Sequence, residues 1–586
     1  MSFTVLRHHP NRPWRTGVVF FASLFMGTAA LGGAGASVDE SEVLFNFYVD
    51  PNTGNDRSGT GAIDNPYRTL GRALDRANGI AFFGRPGGSK IILQDGVYRE
   101  SASFFGQRND SVTVIEAANP GKAIISGSDV FTNWQAVGNG TYRTPWNDTW
   151  GAENPIWLTD DGSSPPLNEL GRRGELVHVN GKRYSPVSQQ SDLNLSATKE
   201  IGGYWVDGNA TNGFLYVRPK NGTDFGTALK DVSTRRDALL DIDTENVVVR
   251  GLTIQHMAGG DDRAFVLNKS ENVLIEGVTV RNNNGSGLSL SSNIVRSDYT
   301  VRDTRLEGNG FTGNGASRLN NLLFENVTAE GNNWRGFIGG LTGNSFAGIK
   351  HLLIDGGTYR NIETVNNSTH GSWFDTDNNN IDIDGLISSD NLHYGLYFEA
   401  SDGDVTLANA ELTRNEIGLF ISNQMFATVT DSVIVDNGEQ LTFDQRARQQ
   451  LGPSGDRGNR FLVLEGNLIR AYESWQKVLI NNNFTPQGDR WLSFLETLSA
   501  LDNTYFHPDD SLQFATEARP QIDFDAWVAS LQSGQEVGST FTLGIVTVPE
   551  VTIPEPASGA LLMFGITLLG QCRPDGCSAS PFITQP

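Results

Sequence analysis

From Asn246 onward the chain alternates short apolar runs with corners built on Asn or Gly. Asn246-Val247-Val248-Val249-Arg250-Gly251-Leu252-Thr253-Ile254 is followed by Asn272-Val273-Leu274-Ile275-Glu276-Gly277-Val278-Thr279-Val280 and by Asn321-Leu322-Leu323-Phe324-Glu325-Asn326-Val327. Further copies are His351-Leu352-Leu353-Ile354-Asp355-Gly356, Asn380-Ile381-Asp382-Ile383-Asp384-Gly385-Leu386 and Asp404-Val405-Thr406-Leu407-Ala408-Asn409. The repeat distance is roughly 22–30 residues, which is the range of solenoids. One such unit cannot bury its own apolar face, but stacked copies share a continuous core. A leucine-rich solenoid would show fixed Leu spacing and helical halves, and a propeller would need longer repeats. The pattern predicts an all-β, right-handed parallel β-helix with strands from about Ile242 to Leu479.

The second half of several repeats opens with glycine: Gly287-Leu288-Ser289-Leu290-Ser291, Gly336-Phe337-Ile338-Gly339-Gly340, Gly371-Ser372-Trp373-Phe374-Asp375, Gly395-Leu396-Tyr397-Phe398-Glu399 and Gly418-Leu419-Phe420-Ile421-Ser422. Strand side chains alternate faces. Leu288, Phe337, Phe374, Phe398 and Ile421 therefore face inward. Trp373, Tyr397 and Phe420 form an outward column, with Ser291, Gly340, Asp375, Glu399 and Ser422 in a second column beside it. Asp375 and Glu399 then sit at one position on successive coils, about 5 Å apart. These columns, in this alignment, contain no lysine.

The flanks read differently. A signal-like start spans residues 1–36: Arg7, Arg12 and Arg15, an apolar run from Val18 to Leu31, and Ala34-Gly35-Ala36 as a small-residue cleavage site. Residues 45–130 read as an N-terminal cap and first coils, with a helix from Thr69 to about Asn78. Residues 131–236 hold hairpin-like strands around Asn-Gly and Gly turns, an inserted β-rich lobe. The β-helix core occupies 237–485. Amphipathic helices over Glu473–Leu479 and Trp491–Leu501 suggest helical capping, with a C-terminal cap over 486–545 and a linker and sorting segment over 546–586.

Composition narrows the function classes. The chain has 586 residues, 66 glycines and a formal net charge of −23, which argues against a nucleic-acid partner. Both cysteines, Cys572 and Cys577, lie in the C-terminal tail, so the body has no disulfide framework to rely on. Zinc-type Cys/His spacing, a phosphate loop and a Gly-x-Ser-x-Gly nucleophile are all absent from the sequence.

Ile553-Pro554-Glu555-Pro556, the apolar stretch Ala557–Gly570 and Arg573 resemble a PEP-CTERM sorting signal. That resemblance implies a Gram-negative host, an exosortase-type processing partner, and a secreted or outer-membrane-associated product. It also implies that the membrane is met only transiently, through the C-terminal segment. The stretch from Tyr48 to Tyr98 resembles the N-terminal cap of secreted pectate-lyase-like proteins. Trp373-Phe374-Asp375 with Asp377-Asn378-Asn379-Asn380, then Gly395-Leu396-Tyr397-Phe398-Glu399, is similar to the β-helix glycoside hydrolases, including a β-xylosidase family. The resemblance implies Asp375 as nucleophile and Glu399 as acid/base of a retaining glycosidase on a poly- or oligosaccharide, without a cofactor.

Two further readings stay open. A polysaccharide lyase or epimerase of the same fold would need a base and a calcium ion, for which Asp375, Asp377 and Glu399 are candidate ligands. A non-catalytic protein of the exopolysaccharide matrix fits the C-terminal signal equally. Candidate substrate-binding residues are Trp373, Tyr397 and Phe420 as sugar platforms, with Arg335, His370, Asp377 and His393 around them. His256 reads as structural.

Overall fold

The structure is a computed structural model that describes residues 36, 38–82, 87–105, 111–146, 173–208, 212–259, 263–336, 346–444, 458–482, 489–514 and 521–544. Residues 1–35 of the signal-like start, Phe337, Gly340 and the sorting segment lie outside these residues.

The chain winds into an all-β right-handed parallel β-helix running from Val43–Val49 to Thr540–Leu543. One coil shows the plan. His370–Asp375 turns into Asn379–Ser389, and the chain then returns as Tyr394–Glu399 directly over His370–Asp375. Asn379–Ser389 is covered in turn by Val405–Ala408 and Glu411–Thr413. Leu288, Phe374, Phe398 and Ile421 belong to the continuous interior core. The alternation read from the sequence holds for them.

The corner residues follow from backbone geometry. Asn246, Asn272, Asn321 and Asn380 have φ of 56°, 51°, 56° and 53°, the left-handed region that Asn tolerates better than most side chains. A buried ladder of Asn283, Asn309, Asn332, Asn367, Asn391, Asn415 and Asn437 runs up one corner. Each amide from Asn283 to Asn415 donates to the asparagine of the next coil at 2.9–3.1 Å, and Asn437 ends the run on Gln440 Oε1 at 3.1 Å. This ladder explains the strand-opening glycines: a Cβ at Gly395 would lie 2.6 Å from Asn415 Nδ2.

Residues between the early coils form two separate antiparallel sheets. One contains Ser128–Val130, Val177–Val179, Lys182–Arg183 and Lys230–Ser233; the other contains Gln135–Gly138, Thr141–Pro145, Ser185–Pro186, Gly203–Val206 and Phe214–Arg218, with Ser185–Pro186 joining in parallel. They enclose their own apolar core around Trp146, Tyr204, Leu215 and Val232. At the N-terminus the helix Leu70–Phe82 lays Leu70, Ala73, Leu74, Ala77 and Ile80 onto the first coils.

Three expectations are corrected. The strand in the coil before His370–Asp375 is Ala347–Val365, opened by Gly348. Gly336 is a left-handed turn residue with φ of 70°, because extra residues separate the ladder residue Asn332 from its strand. The Glu473–Leu479 stretch is a turn followed by the strand Lys477–Asn482, which pairs with Glu439–Asp444; ladder pairing overrides the local helical pattern. Coils also continue through the region read as a cap. Ser499–Leu501 and Thr504–His507 extend the sheets, and Asn503 accepts the amide of Asn467 at 3.0 Å. Short helices Asp489–Thr497 and Phe524–Ser530 lie among these last strands.

Candidate functional site

The observed register defines two outward columns. The first contains Ser289, Gly315, Lys350, Trp373, Tyr397, Phe420 and Thr442 on successive coils. The second contains Ser291, Ser317, Leu352 and Asp375, and continues through Glu399 to Ser422 and Asp444. Because Phe374 pairs with Phe398, Asp375 and Glu399 hold equivalent positions on adjoining coils, whose strands lie about 4.8 Å apart.

Lys350 is the residue that the misaligned coil concealed. Its Nζ lies 3.2 Å from Asp375 Oδ2 and 3.6 Å from the centre of the Trp373 ring. The ammonium thus meets a carboxylate and an indole face together. Burial holds the Lys350 pKa below the ordinary lysine value, while the charges of Asp375 and Glu399 oppose that shift. Asp375 Oδ1 accepts from the Thr376 backbone amide and hydroxyl, both at 2.8 Å. Three donors therefore fix this carboxylate. Glu399 is followed by Ala400 at φ of 50°, a left-handed conformation that an alanine adopts at a cost of about 1 kcal/mol or more.

The aromatic column differs from the expectation of an open platform. Trp373, Tyr397 and Phe420 are only 4%, 3% and 2% exposed and pack into a satellite apolar cluster with Ala347 and Ile417. Trp373 stacks on Tyr397 with ring centres 5.0 Å apart. Rings on adjoining coils fill the space over one another, so they form a wall rather than a ledge. Asp375, Glu399 and Lys350 are likewise 8%, 5% and 9% exposed. Within this enclosure the Trp373 indole nitrogen and the Ser422 hydroxyl are buried without a hydrogen-bond partner among the described residues.

The remaining candidates fall into two groups. His370 joins the wall, 4.5 Å from the Tyr394 ring and 5.3 Å from Trp373, and its Nδ1 accepts from the Tyr394 amide at 3.3 Å. His393 lies at the outer edge of that wall, where its Nδ1 meets Glu416 Oε2 at 2.8 Å. Arg335 and Asp377 do not join the columns. The Arg335 guanidinium is buried over the Phe311 ring and donates to the Asn284 carbonyl at 3.3 Å. Asp377 is a left-handed corner residue with φ of 56°, its amide bonded to the Ala400 carbonyl at 3.2 Å. Among the described residues no group of three or more His, Cys, Asp or Glu is arranged to hold a metal ion.

Lys350 and Asp444 were missed in the sequence. The available signal was the ladder: Asn367 and Asn391 each stand four residues before their strand glycine, and the same glycine-led pattern resumes at Gly348-Ile349-Lys350 after the longer interval from Asn332.

Residues 341–498 match a family described as periplasmic copper-binding protein (NosD). No curated protein sequence matches the chain. Among solved structures, the complex of XylC with xylose is similar over 79% of this chain and 84% of that one, at 16% identity and a TM-score of 0.56. The A-module of the mannuronan C-5 epimerase AlgE6 from Azotobacter vinelandii aligns with 81% of this chain and 94% of its own, at 14% identity and a TM-score of 0.44. At these identities the likeness to XylC speaks for the shared fold.

Proposed function

We propose that this protein is an exported carbohydrate-active enzyme, a retaining glycoside hydrolase in which Asp375 is the nucleophile and Glu399 the acid/base. The observation that carries this reading is the placement of the two carboxylates at one position on adjoining coils. A retaining glycosidase needs its two carboxyl groups about 5–5.5 Å apart. The asymmetry between them supports the roles. Asp375, held by Lys350 and Thr376, is oriented as an acceptor, while Glu399 lies between it and the unpartnered Ser422 hydroxyl. Two unpartnered donors beside the pair suit a hydroxyl-rich ligand, and the XylC structure of the same fold was solved with xylose.

In the first step an Asp375 oxygen bonds to the anomeric carbon as the glycosidic bond breaks, and Glu399 gives its proton to the leaving oxygen. In the second, Glu399 takes a proton from water, whose oxygen displaces Asp375 from the sugar. The negative charge moves from Asp375 to Glu399 and back, and Lys350 feels the charge of both.

Lys350 also favours a second reading. A lysine with a lowered pKa in a saccharide site is the kind of base a lyase or epimerase uses to remove a proton beside a uronate carboxyl group. Its ion pair with Asp375 and its place over Trp373 both favour the ammonium form, which weighs toward the hydrolase.

The test is turnover on a panel of aryl glycosides, xylosides included, and of uronate polymers. The expected result is glycoside release with retained configuration, a loss of about 10⁴-fold or more in Asp375→Asn, and a smaller loss in Glu399→Gln on substrates with good leaving groups. An unsaturated, ultraviolet-absorbing product from a uronate polymer would establish the lyase instead. Wild-type rates in both variants would remove the pair from catalysis.

A further inference from the structure

The antiparallel lobe meets the β-helix through a buried polar seam that the carboxylate site does not use. His178 lies in the strand Val177–Val179, opposite Asp231 on one side and Arg183 on the other, and is fully buried. Its ring stacks on His256 of the β-helix, with ring centres 3.8 Å apart and planes inclined by 14°. Among the described residues both ring nitrogens of His178 are buried without a hydrogen-bond partner. His256 meets Ser128 Oγ through Nδ1 at 3.2 Å and holds a left-handed φ of 66°.

The charged groups facing the pair are mostly cationic. Arg183 approaches from the lobe, while Arg99 and Arg281 approach from the β-helix. Asp231 is already engaged by Arg99 at 2.9 Å and by Ser128 at 3.3 Å. A proton on either ring therefore sets an imidazolium against a second ring, within a group of guanidiniums. Burial first, then Arg281 and Arg99, pushes His256 down to about 3. Burial first, then His256, Arg183 and Arg281, holds His178 well below the ordinary histidine range.

We infer that the stacked His178–His256 pair is an acid-operated latch that seats the lobe on the β-helix while both rings are neutral and releases it when they take up protons. The lobe has its own apolar core, so it can lift from the solenoid without opening the coils. Both rings titrate below the free-histidine value of about 6.5 while the seam is closed, so the open state binds protons first. The seam is at full strength above about pH 6.5 and is lost as pH falls, with opening favoured up to about tenfold per pH unit for each ring.

The experiment is hydrogen exchange read by mass spectrometry on the full mature chain, compared between about pH 7 and pH 4.5 after correction for intrinsic rates. Peptides covering residues 176–186 and 214–233 should lose protection at the lower pH, while residues 381–389 and 405–408 of the coils keep theirs. His178→Phe, which stacks without titrating, leaves only the His256 contribution and should lose clearly less protection at the lower pH than the wild type. The inference is overturned if the wild-type lobe is equally protected at both values, if lobe and coils lose protection together, or if His178→Phe responds like the wild type. Exchange of the imidazole C2 hydrogens in the wild-type protein gives a second measurement that no variant can spoil. A midpoint at the ordinary histidine value for His178 and His256, with the lobe still protected, also overturns it.

Discussion

On one face of the solenoid, Glu116, Arg250, Glu276, Arg302, Glu325, Arg360 and Asp384 occupy the same position on successive coils. On another face, Asp375 and Glu399 share one position on adjoining coils, and Lys350 lies in the column beside them. The first set alternates in sign, so each interior member has an opposite charge above and below it. Arg250 bonds to Glu276 at 2.7 Å and to Glu116 at 3.2 Å, and Arg302 reaches Glu276 at 2.6 Å. The second set places two carboxylates in succession and one ammonium beside them, all nearly buried. The first is a surface that satisfies itself and needs no ligand. The second is organised around like charges held together, which a purely structural column would avoid.

The sharpest way to break this contrast is Lys350→Met. It leaves buried carboxylates without their cation and should cost about 3–5 kcal/mol in urea unfolding. Adding Asp375→Asn to that variant should restore part of the loss. If Lys350→Met costs no more than a surface substitution, the two columns are energetically alike and the site loses its distinction.

An intermediate effect is expected where polar groups are buried but uncharged. Asn391→Ala removes the acceptor for the Asn367 amides at 2.9 and 3.1 Å and the donor to the Thr364 carbonyl at 2.9 Å. It should cost about 1–3 kcal/mol by the same measurement.

The smallest effect belongs to the alternating face. Arg302, whose side chain is 39% exposed, should cost under about 1 kcal/mol when changed to Ala, and less in high salt. The pH dependence has a definite sign there. Burial opposes the shift, yet hydrogen bonds from Arg250 and Arg302 together hold Glu276 below its usual carboxyl value. Its contribution is therefore complete above the unfolded carboxyl range near about 4.3 and is lost as pH falls through the lower folded value. Glu276→Gln should flatten that part of the acid unfolding curve.

The two faces were not equally legible in the sequence. The strand halves beginning at Asn246, Asn272 and Asn380 announce themselves because a left-handed corner favours Asn and the interior demands β-branched or Leu side chains. The Asp375 and Glu399 register was readable because both strands open on a glycine: Gly395 stands where the asparagine ladder passes beneath the strand, and Gly371 where the Ser388 and Thr364 hydroxyls do. Lys350 was hidden because Gly336, a left-handed turn residue, looks in sequence like the strand-opening glycine that Gly348 is. The burial of Trp373, Tyr397 and Phe420 was also hidden, since alternation tells which way a side chain points and not what lies against it. The helical pattern at Glu473–Leu479 misled because local periodicity does not know which strand waits on the coil below.

The interval between Asn332 and Gly348 has a broader meaning for how such a protein changes over time. A solenoid coil closes through its ladder bonds, and Asn332 still passes its bond to Asn367 at 3.0 Å despite the added length between corner and strand. Corner length is thus uncoupled from coil closure. Residues can be gained, lost or exchanged in that interval without rewriting the scaffold that aligns Asp375 with Glu399. Corner length and coil stacking are then separately heritable traits, so a coil of this kind can lengthen at one corner while its neighbours keep their alignment.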